Sequence, residues 1–334
     1  MKAIFFTDNS RRLENVFNDQ HISKLEKICP QIDKNVFDKK FVLDNAALFQ
    51  DTEYIFSTWG IQPLTEEEIR CCFPKLKCLF HAAGSVQAFG RAYLNCGVRV
   101  FSAWAANAVP VAEYTVAQVI LANKGFFATT KVMDTENYGA SCSLFRKYPG
   151  NYQTKIGIIG AGMIGKLVIR MLKAYRVEVL VYDPFLPDEV ADELEIQKVS
   201  LEELFAQCNV ISNHLANNEQ TQNLLDYRFF SSMKPYATFL NTGRGAQVVE
   251  TDLIRALEER PDITAVLDVT NPEPPLAQSK LYDLDNCVLT PHIAGSSGNE
   301  FWRIADYIIE EFERYLKGEP CKYEVTMQML ETMA

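Results

Sequence analysis

Lys155-Ile156-Gly157-Ile158-Ile159-Gly160-Ala161-Gly162-Met163-Ile164-Gly165 is the stretch on which the fold turns. Its first five residues have the composition of a short buried strand, and the rest is a glycine-rich turn opening into a helical pattern. The glycines fall in a G-x-G-x-x-G spacing. In a strand–turn–helix unit the first glycine allows a tight turn, the second lets backbone approach a ligand, and the third lets helix and strand pack closely. The helix that follows, from residue 163 to about 175, would offer free N–H groups and a partial positive charge at its start. That is the setting for a pyrophosphate.

The next apolar run, residues 177–182, reads as a second strand and ends at Asp183, eighteen positions beyond Gly165. A carboxylate at that distance accepts hydrogen bonds from adenosine ribose hydroxyls and repels a 2′-phosphate. The cofactor therefore reads as NAD rather than NADP. Arg176 and Lys173 are the basic residues nearby in sequence that would serve a 2′-phosphate instead.

Outward from this unit, short apolar runs alternate with helical-period segments, the pattern of βα units on a mostly parallel sheet. Residues 155–159, 177–182, 210–212, 239–241, 265–267 and 287–289 form one strand series. Residues 3–6, 54–57, 78–80 and 98–101 form an earlier one. A helix over 64–72 has Thr65 as N-cap with Glu68 three positions on, a capping box. Residues 109–124 read as a buried helix, 135–153 as an irregular loop, and 300–317 as a helix stopped by Gly318 and Pro320. No strand is expected after that last helix, so it and the tail should pack back on the first domain. The first domain is then discontinuous (1–102 and 299–334), with the second inserted at 103–298.

The chain has 334 residues, 48% hydrophobic and 23% charged, which suits a soluble α/β protein of two domains. A formal net charge of −10 argues against nucleic acid and anionic lipid as partners. Nine scattered cysteines, with no CxxC pair and no metal-ligand spacing, read as reduced thiols in a cytoplasmic protein, with no metal site. No run approaches about 18 consecutive apolar residues, so no membrane span is expected.

Three segments carry candidate chemistry. Phe239-Leu240-Asn241-Thr242-Gly243-Arg244-Gly245, Val266-Leu267-Asp268-Val269-Thr270-Asn271-Pro272-Glu273 and Leu289-Thr290-Pro291-His292-Ile293-Ala294-Gly295 each run from a strand into a turn. Their polar residues fall just past the strands' carboxyl ends, where open α/β sheets place ligands. Hydride transfer at a carbon bearing oxygen needs a proton relay and a holder for the substrate. His292 suits the relay at neutral pH. A carboxylate at Glu273 would orient the ring and favour the imidazolium that protonates a keto oxygen. Arg244 offers a planar fork for an α-carboxylate.

The N-x-G-R-G, D-V-x-x-x-E-P and T-P-H-I-A-G segments, in that order after the glycine turn, resemble the signature of the D-isomer-specific 2-hydroxyacid dehydrogenases. Asn107-Ala108-Val109-Pro110-Val111-Ala112-Glu113 is similar to that family's helix crossing between domains. The resemblance implies an α/β chain with a flavodoxin-like substrate domain split between the termini, an inserted Rossmann NAD-binding domain, and a homodimer formed through the latter. It implies Arg244 on the substrate carboxylate, Glu273 paired to His292 as acid/base, Asp268 on the nicotinamide carboxamide, and the Met163 and Ile164 amides on the pyrophosphate. Thr242 joins this cofactor set.

The chain departs from the family's pattern in places. The substrate loop, commonly G-x-G-x-D, here reads His81-Ala82-Ala83-Gly84-Ser85-Val86-Gln87, so the amides of Ala83, Gly84 and Ser85 are the expected carboxylate contacts. Thr270 stands where an aromatic is usual, and the H-x-P-x-T segment reads His214-Leu215-Ala216-Asn217-Asn218. Trp59, Trp104 and His81 read as packing residues ahead of pocket residues, and the tail 322–334 either covers the cleft or packs on the surface. The expected activity is NAD-dependent oxidation or reduction of a small 2-hydroxy or 2-keto acid. The alternative is a non-catalytic NAD(H)-sensing scaffold of the corepressor type that shares the fold.

Overall fold

The computed structural model of the chain describes residues 1–8 and 10–332. Among the described residues the strands are, in chain order, β1 (Lys2–Phe6), β2 (Gln31–Phe37), β3 (Tyr54–Ser57), β4 (Cys78–His81), β5 (Arg99–Ser102), β6 (Tyr152–Ile159), β7 (Arg176–Tyr182), β8 (Gln197–Lys198), β9 (Val210–Asn213), β10 (Thr238–Asn241), β11 (Thr264–Leu267), β12 (Cys287–Leu289) and β13 (Glu324–Val325). The chain divides into two compact units, Met1–Asn107 with Ser296–Ala334, and Ala108–Gly295.

In the first unit the sheet order is β13-β5-β4-β3-β1-β2, parallel except for the antiparallel edge strand β13. The parallel part is the doubly-wound order of flavodoxin-like sheets. Side chains alternate between its faces, as the strand period of two dictates. Phe5, Phe56, Phe80 and Phe101 enter one core, while Ile4, Ile55, Leu79 and Val100 enter the other. Both faces are thus buried, the usual condition of a parallel sheet. The Glu300–Lys317 helix covers the first face with Ile304, Ile308, Ile309 and Phe312, and it ends on Gly318 at φ +69°.

The second unit is a seven-stranded, wholly parallel sheet in the order β12-β11-β10-β9-β6-β7-β8. Counted from β6, this is the Rossmann order 3-2-1-4-5-6 with β12 added at one edge. The order reverses between β6 and β9, so the crevice at their carboxyl ends is the topological switch point where such sheets bind ligands. Ile211, Phe239 and Ala265 face one core; Ile156, Ile158, Leu240 and Val266 face the other.

The structure differs from the sequence-based expectations at identifiable points. A strand does follow the last long helix: β13 pairs with β5, and the Arg99 guanidinium bonds both carboxylate oxygens of Glu324 at 2.7 and 2.6 Å. The tail packs into the first unit, with Leu330 buried in its core, while Met333 and Ala334 lie outside the described residues. The stretch expected as an irregular loop contains the Tyr138–Phe145 helix. The capping box at Thr65 and Glu68 is present, and the helix it starts runs Glu66–Cys72. The Trp104–Asn123 helix has the length and mean hydropathy of a bilayer span. Asn107, Glu113, Thr115 and Gln118 interrupt its apolar residues, and Ala112, Val119 and Ala122 pack into the second unit's core.

Candidate active site

The glycine turn is built as its spacing requires. Gly160 has φ +88°, and a side chain there would come within 2.9 Å of the His214 carbonyl. At Gly165 an added Cβ would lie 2.1 Å from the Gly160 carbonyl oxygen. Gly162 is different, because a Cβ placed on it meets nothing within 4 Å. It is the N-cap of the Met163–Leu172 helix, and no side chain caps that helix. The open space over Gly162 and the uncapped first-turn amides of Met163 and Ile164 fit a dinucleotide pyrophosphate.

Asp183 follows the last residue of β7, its Oδ2 accepting from the Ala161 N–H at 2.8 Å and its Oδ1 from the Phe185 N–H at 2.9 Å. These bonds brace the carboxylate against the glycine turn and leave lone pairs for ribose hydroxyls. Arg176 does not belong to this place. It begins β7, so the strand's rise puts it roughly 20 Å from Asp183. Lys173 caps the far end of the Met163–Leu172 helix and pairs with Glu195 at 2.9 Å. Neither residue can serve a 2′-phosphate beside Asp183, which corrects the sequence-based alternative and strengthens the reading as NAD.

Arg244 lies just beyond β10 in a tightly determined turn. Its Nη1 donates to the Gly243 carbonyl at 2.7 Å, its backbone N–H to Gln247 Oε1 at 3.2 Å, and its carbonyl accepts from Asn241 Nδ2 at 3.2 Å. Burial lowers the guanidinium below its ordinary range, and the negative charge of Glu273 acts in the opposite direction. Gly245 makes the approach between these two possible. A Cβ there would fall 1.9 Å from the Thr270 carbonyl carbon, in the loop that leads to Glu273. Only a glycine lets the Arg244 turn lie against that backbone.

His292 Nδ1 is 2.8 Å from Glu273 Oε1, with both side chains roughly half exposed. An Nδ1–H facing a carboxylate donates, which leaves Nε2 as the ring atom open to a substrate. His292 itself has φ +54°, a conformation that costs a non-glycine residue about 1–3 kcal/mol and persists only where its surroundings hold it. Asp268 imposes it. Its buried carboxylate accepts from the Ile293 N–H at 2.8 Å, the Ala294 N–H at 2.9 Å and the Thr290 hydroxyl at 2.6 Å. The His292 N–H donates to the Asp268 carbonyl at 3.1 Å. The residue expected at the carboxamide is thereby also the anchor of the histidine loop.

Thr242 is buried, its hydroxyl 3.3 Å from that of Thr115 and 3.4 Å from His214 Nδ1. Burial holds the His214 ring neutral, and its Nε2 meets the Ser212 hydroxyl at 2.9 Å. Sequence reading missed the amides beneath these residues. Asn213 and Asn241 end β9 and β10, Gln247 follows Arg244, and all three are buried, with Asn213 Nδ2 donating to both Asn241 Oδ1 and Gln247 Oε1; polar residues at or beyond a strand's end give no periodic signal that distinguishes them from solvated ones.

The 82–87 loop belongs to the first unit. Its carbonyls are tied down by Thr58 Oγ1 to Ala82 at 3.0 Å and Ser102 Oγ to Ala83 at 3.1 Å. Ala83 is buried, Gly84 half-buried and Ser85 exposed. His81 packs edge-on against Phe89 and bonds Ser57 at 2.9 Å. Trp59 meets Phe301, and Trp104 meets Tyr323.

Comparison with known proteins gives the chain's family. The family model described as "D-isomer specific 2-hydroxyacid dehydrogenase, NAD binding domain" matches residues 116–294. Over 176 residues the chain is 33% identical to a D-3-phosphoglycerate dehydrogenase of Synechocystis sp., covering 53% of this chain and 32% of that protein. Over 165 residues it is 33% identical to a hydroxypyruvate reductase of Blautia hydrogenotrophica, covering 49% and 51%. Matches to the first curated relatives span between 32% and 63% of those proteins' lengths. The fold resembles the crystal structure of an apo form of Rhodotorula graminis D-mandelate dehydrogenase, with TM-score 0.79, 20% identity and 97% of each chain covered. The chain belongs to the D-isomer specific 2-hydroxyacid dehydrogenase family, and residues 116–294 are its NAD-binding domain.

Proposed function

We propose that this chain is an NAD-dependent dehydrogenase acting at C2 of a small 2-hydroxy or 2-keto acid. The observation that carries the proposal is the 2.8 Å contact between His292 Nδ1 and Glu273, with the half-buried Arg244 in the turn that Gly245 lets lie against the loop leading to Glu273. A half-buried guanidinium that keeps donors beyond its Nη1 bond to Gly243 is suited to a carboxylate. A histidine whose Nδ1 is occupied presents Nε2 for proton exchange with a substrate oxygen.

When bound, the cofactor supplies or accepts the hydride. Met163, Ile164 and Gly162 would hold its pyrophosphate and Asp183 its ribose. In the reducing direction Arg244 fixes the carboxylate of the keto acid. The His292 imidazolium gives its Nε2 proton to the oxygen that becomes the hydroxyl. Glu273 keeps Nδ1–H engaged, so the ring stays oriented and its charge is balanced while it exists. In the oxidising direction neutral His292 takes that proton back.

Relatives named as enzymes support catalysis over a scaffold role. Apolar side chains exposed on the Phe126–Val132 and Tyr138–Phe145 helices, Phe126, Val132, Tyr138 and Phe145 among them, support a homodimer. Nine free cysteines support a reducing, cytoplasmic setting. The decisive experiment is NADH oxidation with glyoxylate, pyruvate, hydroxypyruvate and phenylpyruvate. Turnover of at least one is expected. Tight NADH binding with none consumed would overturn the enzyme reading.

A further inference from the structure

Gln247 is wholly buried, yet its side-chain amide uses every hydrogen-bonding position it has. Oε1 accepts from Asn213 Nδ2 at 2.6 Å and from the Arg244 backbone N–H at 3.2 Å. Nε2 donates to the Leu215 carbonyl at 2.8 Å and to the Ala216 carbonyl at 3.0 Å. The opposite orientation would set the NH2 against two donors and the oxygen against two carbonyls, so the surroundings select this one.

These four bonds join two pieces of backbone that leave neighbouring strands. One is the Arg244 turn after β10; the other is the 214–216 loop after β9. That loop lies against the glycine turn: a Cβ on Gly160 would come 2.9 Å from the His214 carbonyl oxygen and 3.1 Å from the Leu215 nitrogen. A residue that merely filled the space could be apolar, without the cost of burying an amide. A fully satisfied buried network instead fixes the geometry of everything it touches.

We propose that Gln247 is a positioning residue that couples Arg244, the holder of the substrate carboxylate, to the glycine turn that receives the cofactor, through the 214–216 loop. The substrate half rests on the reaction proposed above, and the cofactor half does not.

The test uses the full chain with Gln247→Glu and Gln247→Met, each checked for folding by its thermal melt. Glutamate keeps an acceptor for the Arg244 N–H and for Asn213, but it turns an oxygen toward the Leu215 and Ala216 carbonyls. It should therefore loosen the 214–216 loop while the Arg244 turn holds. The expected result is a Kd for NADH, from fluorescence titration, raised about 5–30-fold in Gln247→Glu. Its KM for the keto acid at saturating NADH should stay within about twofold of the parent. Methionine, which removes all four bonds, should raise both constants.

A folded Gln247→Glu that binds NADH like the parent would overturn the coupling, and so would equal losses in both constants in both variants. If Gln247→Glu does not fold, Asn213→Ala decides, because it leaves Gln247 in place and removes the 2.6 Å bond to its Oε1. Both constants should then rise, and two unchanged constants would overturn the proposal. A parent that binds NADH and reduces no keto acid removes the reaction reading alone, and the NADH titrations still decide the cofactor half.

Discussion

The carboxylate of Asp268 brackets His292 without touching its ring, binding the N–H groups of the next two residues and the hydroxyl two positions before. The histidine's left-handed backbone, φ +54°, is the product of that grip. Asp268→Asn turns an NH2 toward backbone donors and should cost roughly 1.5–3 kcal/mol of stability, the worth of hydrogen bonds to a charged group. A misplaced ring should also lower kcat by about 100-fold. Urea unfolding and steady-state kinetics on one preparation check both; a variant with normal kcat would mean the loop holds His292 by other means.

Arg244→Lys tests the fork. An ammonium cannot make two parallel bonds to a carboxylate, so KM for the keto acid should rise by at least about tenfold with a smaller change in kcat. An unchanged KM would remove Arg244 from the substrate.

Asp183→Ser tests cofactor choice. Losing a charged acceptor for the ribose hydroxyls should weaken NADH binding by about 10–100-fold and bring NADPH closer to NADH. Arg176→Ala should leave the ratio of the two cofactors unchanged, because Arg176 lies at the other end of β7. A shift in that ratio on replacing Arg176 would contradict the strand geometry.

His81 makes a prediction about pH and stability. Burial pushes its ring down to about 3, while in the unfolded chain an imidazole titrates near 6.5. Between those values the unfolded state takes a proton that the folded state refuses. The stability from the neutral ring is therefore complete above pH ~6.5 and falls as the pH drops toward about 3, by roughly 1.4 kcal/mol per pH unit. His81→Leu should flatten the parent's slope between about pH 6.5 and 4.5 by that amount. Equal slopes would show that the ring is protonated in the fold.

Much of this was legible in the sequence where chemistry and periodicity agree. Gly160, Gly162 and Gly165 after an apolar run, the Thr65–Glu68 capping box, and the helix over residues 300–317 closed by Gly318 all carry local signals strong enough to read directly. The Arg244, Glu273 and His292 segments were legible because each lies just past a strand end. What escaped reading lacks such signals. β2 is a polar edge strand with no fully buried residue, and β8 and β13 have two residues each. The Tyr138–Phe145 helix is made mostly of exposed and small residues. Arg176 looked close to Asp183 because sequence distance hides the extension of a strand. Gln247 looked like any polar residue near a turn, since only its burial and its four partners distinguish it.

In the proposed reaction His292 moves the proton and does not build the cofactor site. The direct measurement is kcat with the best 2-keto acid, beside the Kd for NADH, in the parent and in His292→Gln. The expected result is a fall in kcat of about 10²–10⁴-fold with a Kd within about twofold of the parent. A kcat that survives the substitution, or losses of equal size in kcat and NADH binding, would contradict it.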